Sequence, residues 1–328
     1  MYVLKEIPED FIVEEVISLD LKDKGDYSYF LLEKTDWTTR NAIRALARRF
    51  RIKEKRFNIA GNKDRNAVTK QYVSVFKIGK NALERIKING LNIKFIGFGD
   101  ERLKLGKLEA NKFEIVVRNL DKKCEKVSFI PNYFDEQRFS SKNPLIGKAF
   151  VKKDFKEACS LLMLDYENND YIGALRKVDR WLLRFYLNSY QSYLFNEALK
   201  EYIRRNYKEV FQVDYSFGSL LFPKSRKMLN IKIPIPTYNT VLENDEIGLI
   251  YNEILEKENV ILSDFKISQM PELVTDTVYR DAFVKLNDAN LDFYDDDLHA
   301  NKLKAKFSFN LPSGSYATIA VKACFADF

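Results

Sequence analysis

Over the first 120 residues apolar and polar positions mostly alternate with the period of two that marks half-buried strands. A proline-opened turn in KEIPEDF leads into the alternating pair Phe11 and Val13, predicting an edge strand with a polar lead, and a second strand is predicted at 27–33. Between 38 and 51 the period changes. Ile43, Leu46, Ala47 and Phe50 recur at helical spacing behind Thr38 or Thr39, either of which can cap. The short run Phe57, Ile59, Ala60 is then broken by Gly61, Asn62 and the charged triplet Lys63, Asp64, Arg65 before alternation resumes at Gln71, which reads as strand, exposed turn, strand. Further strands are predicted at 71–78, 92–98 and 113–117. From Asp154 to Asn206 helical periodicity dominates, with Trp181, Phe185, Tyr193 and Phe195 among its apolar positions, and a KIPIP loop and tyrosine-rich loops follow. A strand at 302–309, a turn and a final apolar strand close the chain. These shifts divide it into a first segment, 1–154, an inserted domain, 155–283, and a returning segment, 284–328.

At 328 residues the chain can bury two cores, and 46% hydrophobic with 31% charged residues describes a folded globular protein. The net charge of +7 suits a polyanionic partner. Cys124, Cys159 and Cys324 are widely spaced, and His299 is the single histidine. No zinc cluster or disulfide framework is expected, and the cysteine usage fits a reducing cytosol. Acid and base work must then fall on carboxylates, lysine, tyrosine or water. His299, following Asp295, Asp296 and Asp297, reads as a surface loop residue. The N-terminus lacks an apolar signal core, and the most apolar window, 181–199, is interrupted by Arg184, Asn188, Gln191 and Glu197, so neither secretion nor a membrane span is expected. Gly97, Gly99 and Gly106-Lys107 have the wrong spacing for a phosphate-binding loop. No cofactor and no metal are expected.

Two clusters carry candidate chemistry. A carboxylate between two cations on a turn, as Asp64 is between Lys63 and Arg65, must be solvated or put to use. As a bare triplet it reads as a solvated turn. Arg40, Arg44 and Arg48 fall four apart on one helix face, with Arg49 and Arg51 beside them, which suits either a solvated face or a phosphate-contacting surface.

What distinguishes the Asp64 turn is its continuation. Residues 61–71, GNKDRNAVTKQ, resemble the pattern G-x-K-D-[RK]-x-A-x-T-x-Q of the pseudouridine synthase D family, in which the aspartate is catalytic. Residues 5–15 resemble its K-x-x-P-E-D-F-x-V-x-E element, and the basic run around Gly106 resembles K-L-x-x-G-x-L-x-x-N-x-F. NYFDEQRFS, 132–140, resembles N-Y-F-G-x-Q-R-F-G, with Asp135 and Ser140 in place of glycines, so its backbone geometry is expected to differ from that of relatives. LPSGSYAT, 311–318, resembles L-P-x-G-S-[FY]-A-T, although relatives continue with R-E-L where this chain has Lys322, Ala323 and Cys324. SYQSYLFN, 189–196, matches the family's insertion and reads as packing.

The resemblance implies an α+β pseudouridine synthase fold: a mixed, mostly antiparallel sheet with flanking helices, and an inserted α/β domain forming the other wall of an RNA-binding groove. It implies a cytoplasmic, monomeric enzyme that isomerises uridine to pseudouridine in tRNA, first at position 13. Asp64 is then the catalytic residue, either attacking C1′ or removing the 2′ proton, and Lys5 pairs with it to keep it ionised. Phe11, Asn132, Phe134 and Tyr316 are implied to contact the extruded base. Arg40, Arg44, Arg48, Lys63 and Arg65 are candidates for the RNA backbone, as is the basic loop near Gly106. Two rival readings are a non-catalytic RNA-binding or chaperone protein on the same scaffold, and a methyltransferase, for which no glycine-rich S-adenosylmethionine loop is found.

Overall fold

The computed structural model describes residues 2–104, 106–140 and 142–326, so Leu105, beside Gly106 in the basic run, and Ser141 lie outside the described residues. Two compact units share the chain, one formed by 2–128 with 285–317, the other by 129–284 with 318–326. The expected insertion falls inside the second, which also takes in 129–154 and most of the last helix.

Among the described residues, nine strands of the first unit make one sheet. β1 (Val3–Leu4), β2 (Phe11–Val16), β3 (Tyr27–Thr35), β4 (Phe57–Ile59), β5 (Val68–Phe76), β6 (Leu91–Gly99) and β7 (Ala110–Leu120) come from the first segment, and Asn287–Asp295 and Leu303–Pro312 from the returning one. Across the sheet the order is Asn287–Asp295, Leu303–Pro312, β7, β2, β5, β3, β6; β1 lies beyond β2 on the same edge of β7, and β4 pairs with β5. The sheet is mixed and mostly antiparallel. β2 and β5 run parallel, with Ile12 opposite Val68 and Val13 opposite Thr69. That pairing sets the starts of β2 and β5 side by side, and the segments leading into them carry Lys5 and Asp64.

The helix α1 (Thr39–Phe50) forms where the periodicity predicts it: the Thr38 side chain accepts from Asn41 N at 3.2 Å, and the helix stops at Arg51, which adopts φ +56. Its buried Ala42, Ile43, Leu46 and Ala47 pack with Phe30, Leu32, Phe57, Val73 and Val75 of the sheet. Each large apolar side chain so enclosed contributes about 1.5–3 kcal/mol.

The expected final strand is instead a helix, Ala317–Phe325. Gly314, at φ +83, and a turn closed by Ser315 N donating to Pro312 O end the preceding strand. The stretch ATIAVKACF is apolar almost throughout, and without a period of two a buried strand and a buried helix read alike.

The second unit is organised around one long helix, Arg180–Asn206. Asn143–Val151 crosses it so closely that a Cβ on Gly147 would sit 2.3 Å from Tyr186 O, which only glycine permits. Glu246–Glu258 packs on the same helix, and the antiparallel ribbons of the unit include Val210–Tyr215 with Gly218–Pro223 and Lys232–Ile235 with Val278–Asp281.

Candidate active site

Asp64 sits on the loop between β4 and β5, and the loop is fastened from beneath by polar groups at positions where a strand would ordinarily place apolar ones. Thr39 Oγ1 accepts from Lys63 N at 3.0 Å and donates to Gln71 Oε1 at 2.8 Å, while Gln71 Nε2 reaches Gly61 O. Lys63 turns inward and pairs with the wholly buried Glu15 carboxylate at 2.6 Å, whose other oxygen accepts from Tyr72 N at 2.8 Å. A buried pair of this kind is tolerated because its remaining lone pairs are also bonded. Lys63, expected at the RNA backbone, thus has its ammonium engaged in the loop's own support.

Lys34, fully buried on β3, completes this layer. Its ammonium donates to Trp37 O and Asp64 O, both at 2.6 Å, and to Lys63 O at 3.4 Å. Burial pulls its pKa down to about 8; the Asp64 charge opposes the shift and Lys63 adds to it. Its three N–H groups match three carbonyls.

The Asp64 carboxylate itself remains 40% exposed and accepts from Lys5 Nζ at 3.1 Å. The same ammonium lies 4.0 Å from the Phe11 ring centroid. Lys5 has φ +56, a left-handed conformation uncommon for a non-glycine residue and a mark of local strain. Arg118 on β7 holds this turn in place. Its guanidinium takes both oxygens of the buried Asp10 at 2.8–3.0 Å and reaches Asp296 and Asp297 at 2.9 Å. Asp297 also pairs with Lys304, and these partners hold its carboxyl well below the usual range. Asp296 and Asp297 of the acidic run are therefore a structural clasp on the segment that carries Lys5 and Phe11. His299 accompanies it, its Nε2 2.8 Å from Glu6 Oε2.

In the second unit, Asn132 and Phe134 form a separate, tightly bonded group. Asn132 Nδ2 donates to Asp281 O at 3.0 Å, and Arg280 donates to both Asn132 O (2.9 Å) and Asn132 Oδ1 (2.6 Å). The Arg280 guanidinium rests 4.3 Å from the centroid of the Phe134 ring, and the Phe195 ring meets Phe134 edge-on at 5.5 Å. Phe134 is buried, and its backbone is gripped on both sides by Asn196, which accepts from Phe134 N (2.9 Å) and donates to Phe134 O (2.8 Å). SYQSYLFN is thus more than packing: Ser189 Oγ donates to Arg138 O and Ser192 Oγ accepts from Arg138 Nε. The signal was present, since Ser189, Ser192 and Asn196 are polar residues on one face of a buried helix.

The two departures from the glycine pattern differ. Asp135 is extended at φ −106, so its backbone asks for no glycine, and its buried carboxylate pairs with Lys322 at 2.7 Å, itself where relatives carry arginine. Ser140 has φ +46 and ψ −173, a region that favours glycine.

Arg40, Arg48 and Arg65 are exposed, whereas Arg44 is half-buried against Glu54 at 3.2 Å. Arg65 also donates to Asp36 O at 3.3 Å. Tyr316 is half-buried on the turn after Leu303–Pro312. Among the described residues no cluster of three or more His, Cys, Asp or Glu is placed to hold a metal, and no helix is long and apolar enough to cross a membrane.

The family model for tRNA pseudouridine synthase D (TruD) matches residues 2–169, 161–217 and 221–323. The tRNA pseudouridine synthase D of Aquifex aeolicus is 30% identical, over 99% of this chain and 98% of its own. A Methanopyrus kandleri protein named "Probable tRNA pseudouridine synthase D" is 30% identical over 91% of this chain and 85% of its own. The crystal structure of a Methanosarcina mazei protein assigned to tRNA pseudouridine synthase D superposes with a TM-score of 0.75 and 25% identity, covering 98% of this chain and 92% of the other. With a matched sheet, matched motifs and matched length, the chain belongs to the tRNA pseudouridine synthase D family.

Proposed function

We propose that this protein isomerises uridine to pseudouridine in tRNA, first at position 13, with Asp64 acting on the ribose of the target nucleotide. The observation that carries the reading is the Lys5–Asp64 pair: a half-exposed carboxylate on a rigidly supported loop, faced by an ammonium at 3.1 Å. In the reaction the N1–C1′ bond breaks, the uracil turns, a C5–C1′ bond forms, and the proton lost from C5 is balanced by one gained at N1. Substrate and product have the same composition, so the step consumes no redox partner or phosphate donor. Asp64 begins it either as nucleophile at C1′ or as base at C2′. Lys5 orients the carboxylate through its hydrogen bond. Phe11 and Tyr316 in the first unit and Asn132 and Phe134 in the second are substrate-binding groups, and the exposed Arg40, Arg48 and Arg65 meet the phosphate backbone. The protein works as a monomer in the cytoplasm.

The test is to incubate the pure protein with transcribed tRNA and map pseudouridine. Product at position 13 is expected, together with its loss in Asp64→Asn while filter binding of the tRNA persists. Bound but unmodified tRNA with the native protein would defeat the proposal.

A further inference from the structure

The long helix of the second unit begins with an indole that packing does not explain. Trp181 is 67% exposed, yet its orientation is set: it stacks on Phe185 with ring centroids 5.6 Å apart and planes 16° from parallel. One face of the indole is covered by Phe185. The stack continues inward. The Arg138 guanidinium carbon is 5.2 Å from the Phe185 centroid and 5.6 Å from that of Phe134, and Arg280 covers Phe134 at 4.3 Å. A continuous series of aromatic and guanidinium groups thus runs from an exposed tryptophan to the Asn132–Phe134 group, all within one unit.

Two cations share the first turn of the helix with Trp181. Arg180 and Arg184, one turn apart in the helix, both donate to Glu272 O, at 3.2 and 2.5 Å, which holds their guanidinium groups together, and the exposed Arg176, at the end of the preceding helix, donates to Gln269 O at 3.1 Å. An exposed aromatic face on the same helical turn as two fixed guanidinium groups matches a nucleobase with its phosphates. An aliphatic peptide or lipid chain would gain nothing from the arginines. An acidic peptide would leave the indole uncovered.

We infer that Trp181 is a stacking platform for an unpaired nucleobase of the RNA substrate, the outer rung of a ladder that leads to Phe134. This rests on the proposed reading that the substrate is RNA. The platform sets affinity for the strand flanking the target and takes no part in the chemistry.

Two measurements test it on the full-length protein. The chain has two tryptophans, so in Trp37→Phe all indole emission comes from Trp181. Titration with unmodified tRNA transcript should quench that emission saturably and shield it from acrylamide. Unchanged emission while filter binding reports bound tRNA overturns the inference. Independently, Trp181→Ala should raise KM on the order of tenfold, the scale of one lost base stack, with kcat within about twofold, and Trp181→Phe should restore most of the loss. An unaltered KM overturns it as well. The outcomes separate from those of the functional proposal. If tRNA binds and quenches but is not isomerised, the Asp64 reading falls and the platform stands; if it is isomerised without quenching, the reverse holds.

Discussion

The loop that carries Asp64 and the loop that carries Phe134 are fixed by opposite kinds of contact. Beneath Asp64 lies a layer of buried charges and amides, Lys34, Glu15, Lys63, Thr39 and Gln71, each bonded to backbone or to one another, while the carboxylate stays 40% exposed. In the other loop the Phe134 side chain is itself enclosed, its backbone bound by Asn196 and its ring covered by Arg280. The contrast follows from the groups. An ionised carboxylate must keep water or a counter-ion, so precision has to come from the support below it. A ring loses nothing by being covered with a flat cation until a base displaces or joins it.

This contrast makes the largest expected effect one of chemistry without stability. Asp64→Asn should lower turnover by about 10⁴-fold or more, the scale of removing a group that acts directly on substrate. Its thermal midpoint should hardly move, because the carboxylate is half-exposed. Phe134→Leu should do the reverse in kind, losing turnover more modestly together with stability, by about 1 kcal/mol of core packing. If Asp64→Asn unfolded as readily as Phe134→Leu, the two loops would not differ as described.

Lys34 sharpens the comparison through pH. Below about 8 it is an ammonium with three N–H groups for three carbonyls; above, it loses one. Native kcat should therefore fall as pH rises through about 8. Lys34→Met should be about ten- to a hundredfold slower and should lack that limb, measured by initial rates on saturating tRNA. Unfolding does not explain such a fall. The folded pKa lies below the ordinary 10.5, so the unfolded chain binds more protons between the two values, and this group's contribution to stability rises with pH across that window.

Much of the first loop was legible in the sequence, and less of the second. Lys5 and Asp64 belong to motifs that precede two strands, and their meeting needed one further fact, that β2 and β5 are parallel. Lys34 also had a signal, because it occupies the inward face of β3 with Phe30 and Leu32, where a charged residue has to be bonded. The grip of Asn196 on Phe134 spans 62 residues and that of Arg118 on Asp296 spans 178. No local period reports a contact at such separation. The final helix was misread as a strand because an almost continuous apolar run carries no period to choose between them.

Arg280 offers the next smaller effect. It both orders the Asn132 amide and covers Phe134, so Arg280→Met should slow turnover by about tenfold while Arg280→Lys recovers little, since a point charge cannot make the paired bonds or the flat contact. Full recovery by lysine would reduce its role to charge.

The smallest effect concerns the Phe134 loop's own backbone. Ser140, at φ +46 and ψ −173, holds a conformation that glycine adopts without strain and that is sparsely populated by other residues, at about 1–3 kcal/mol each. Glycine would relieve this but add freedom to the unfolded chain, worth about 0.4–1 kcal/mol in the other direction. The net should be a stabilisation of about 1 kcal/mol, read as a rise of about 2 °C in thermal midpoint, with turnover unchanged within twofold. Ser140→Ala keeps the Cβ and should give no such rise. If glycine lowered the midpoint instead, the serine side chain would contribute more to this loop than its backbone loses. The departure from glycine here would then be an adaptation like that of Asp135, whose carboxylate is answered by Lys322.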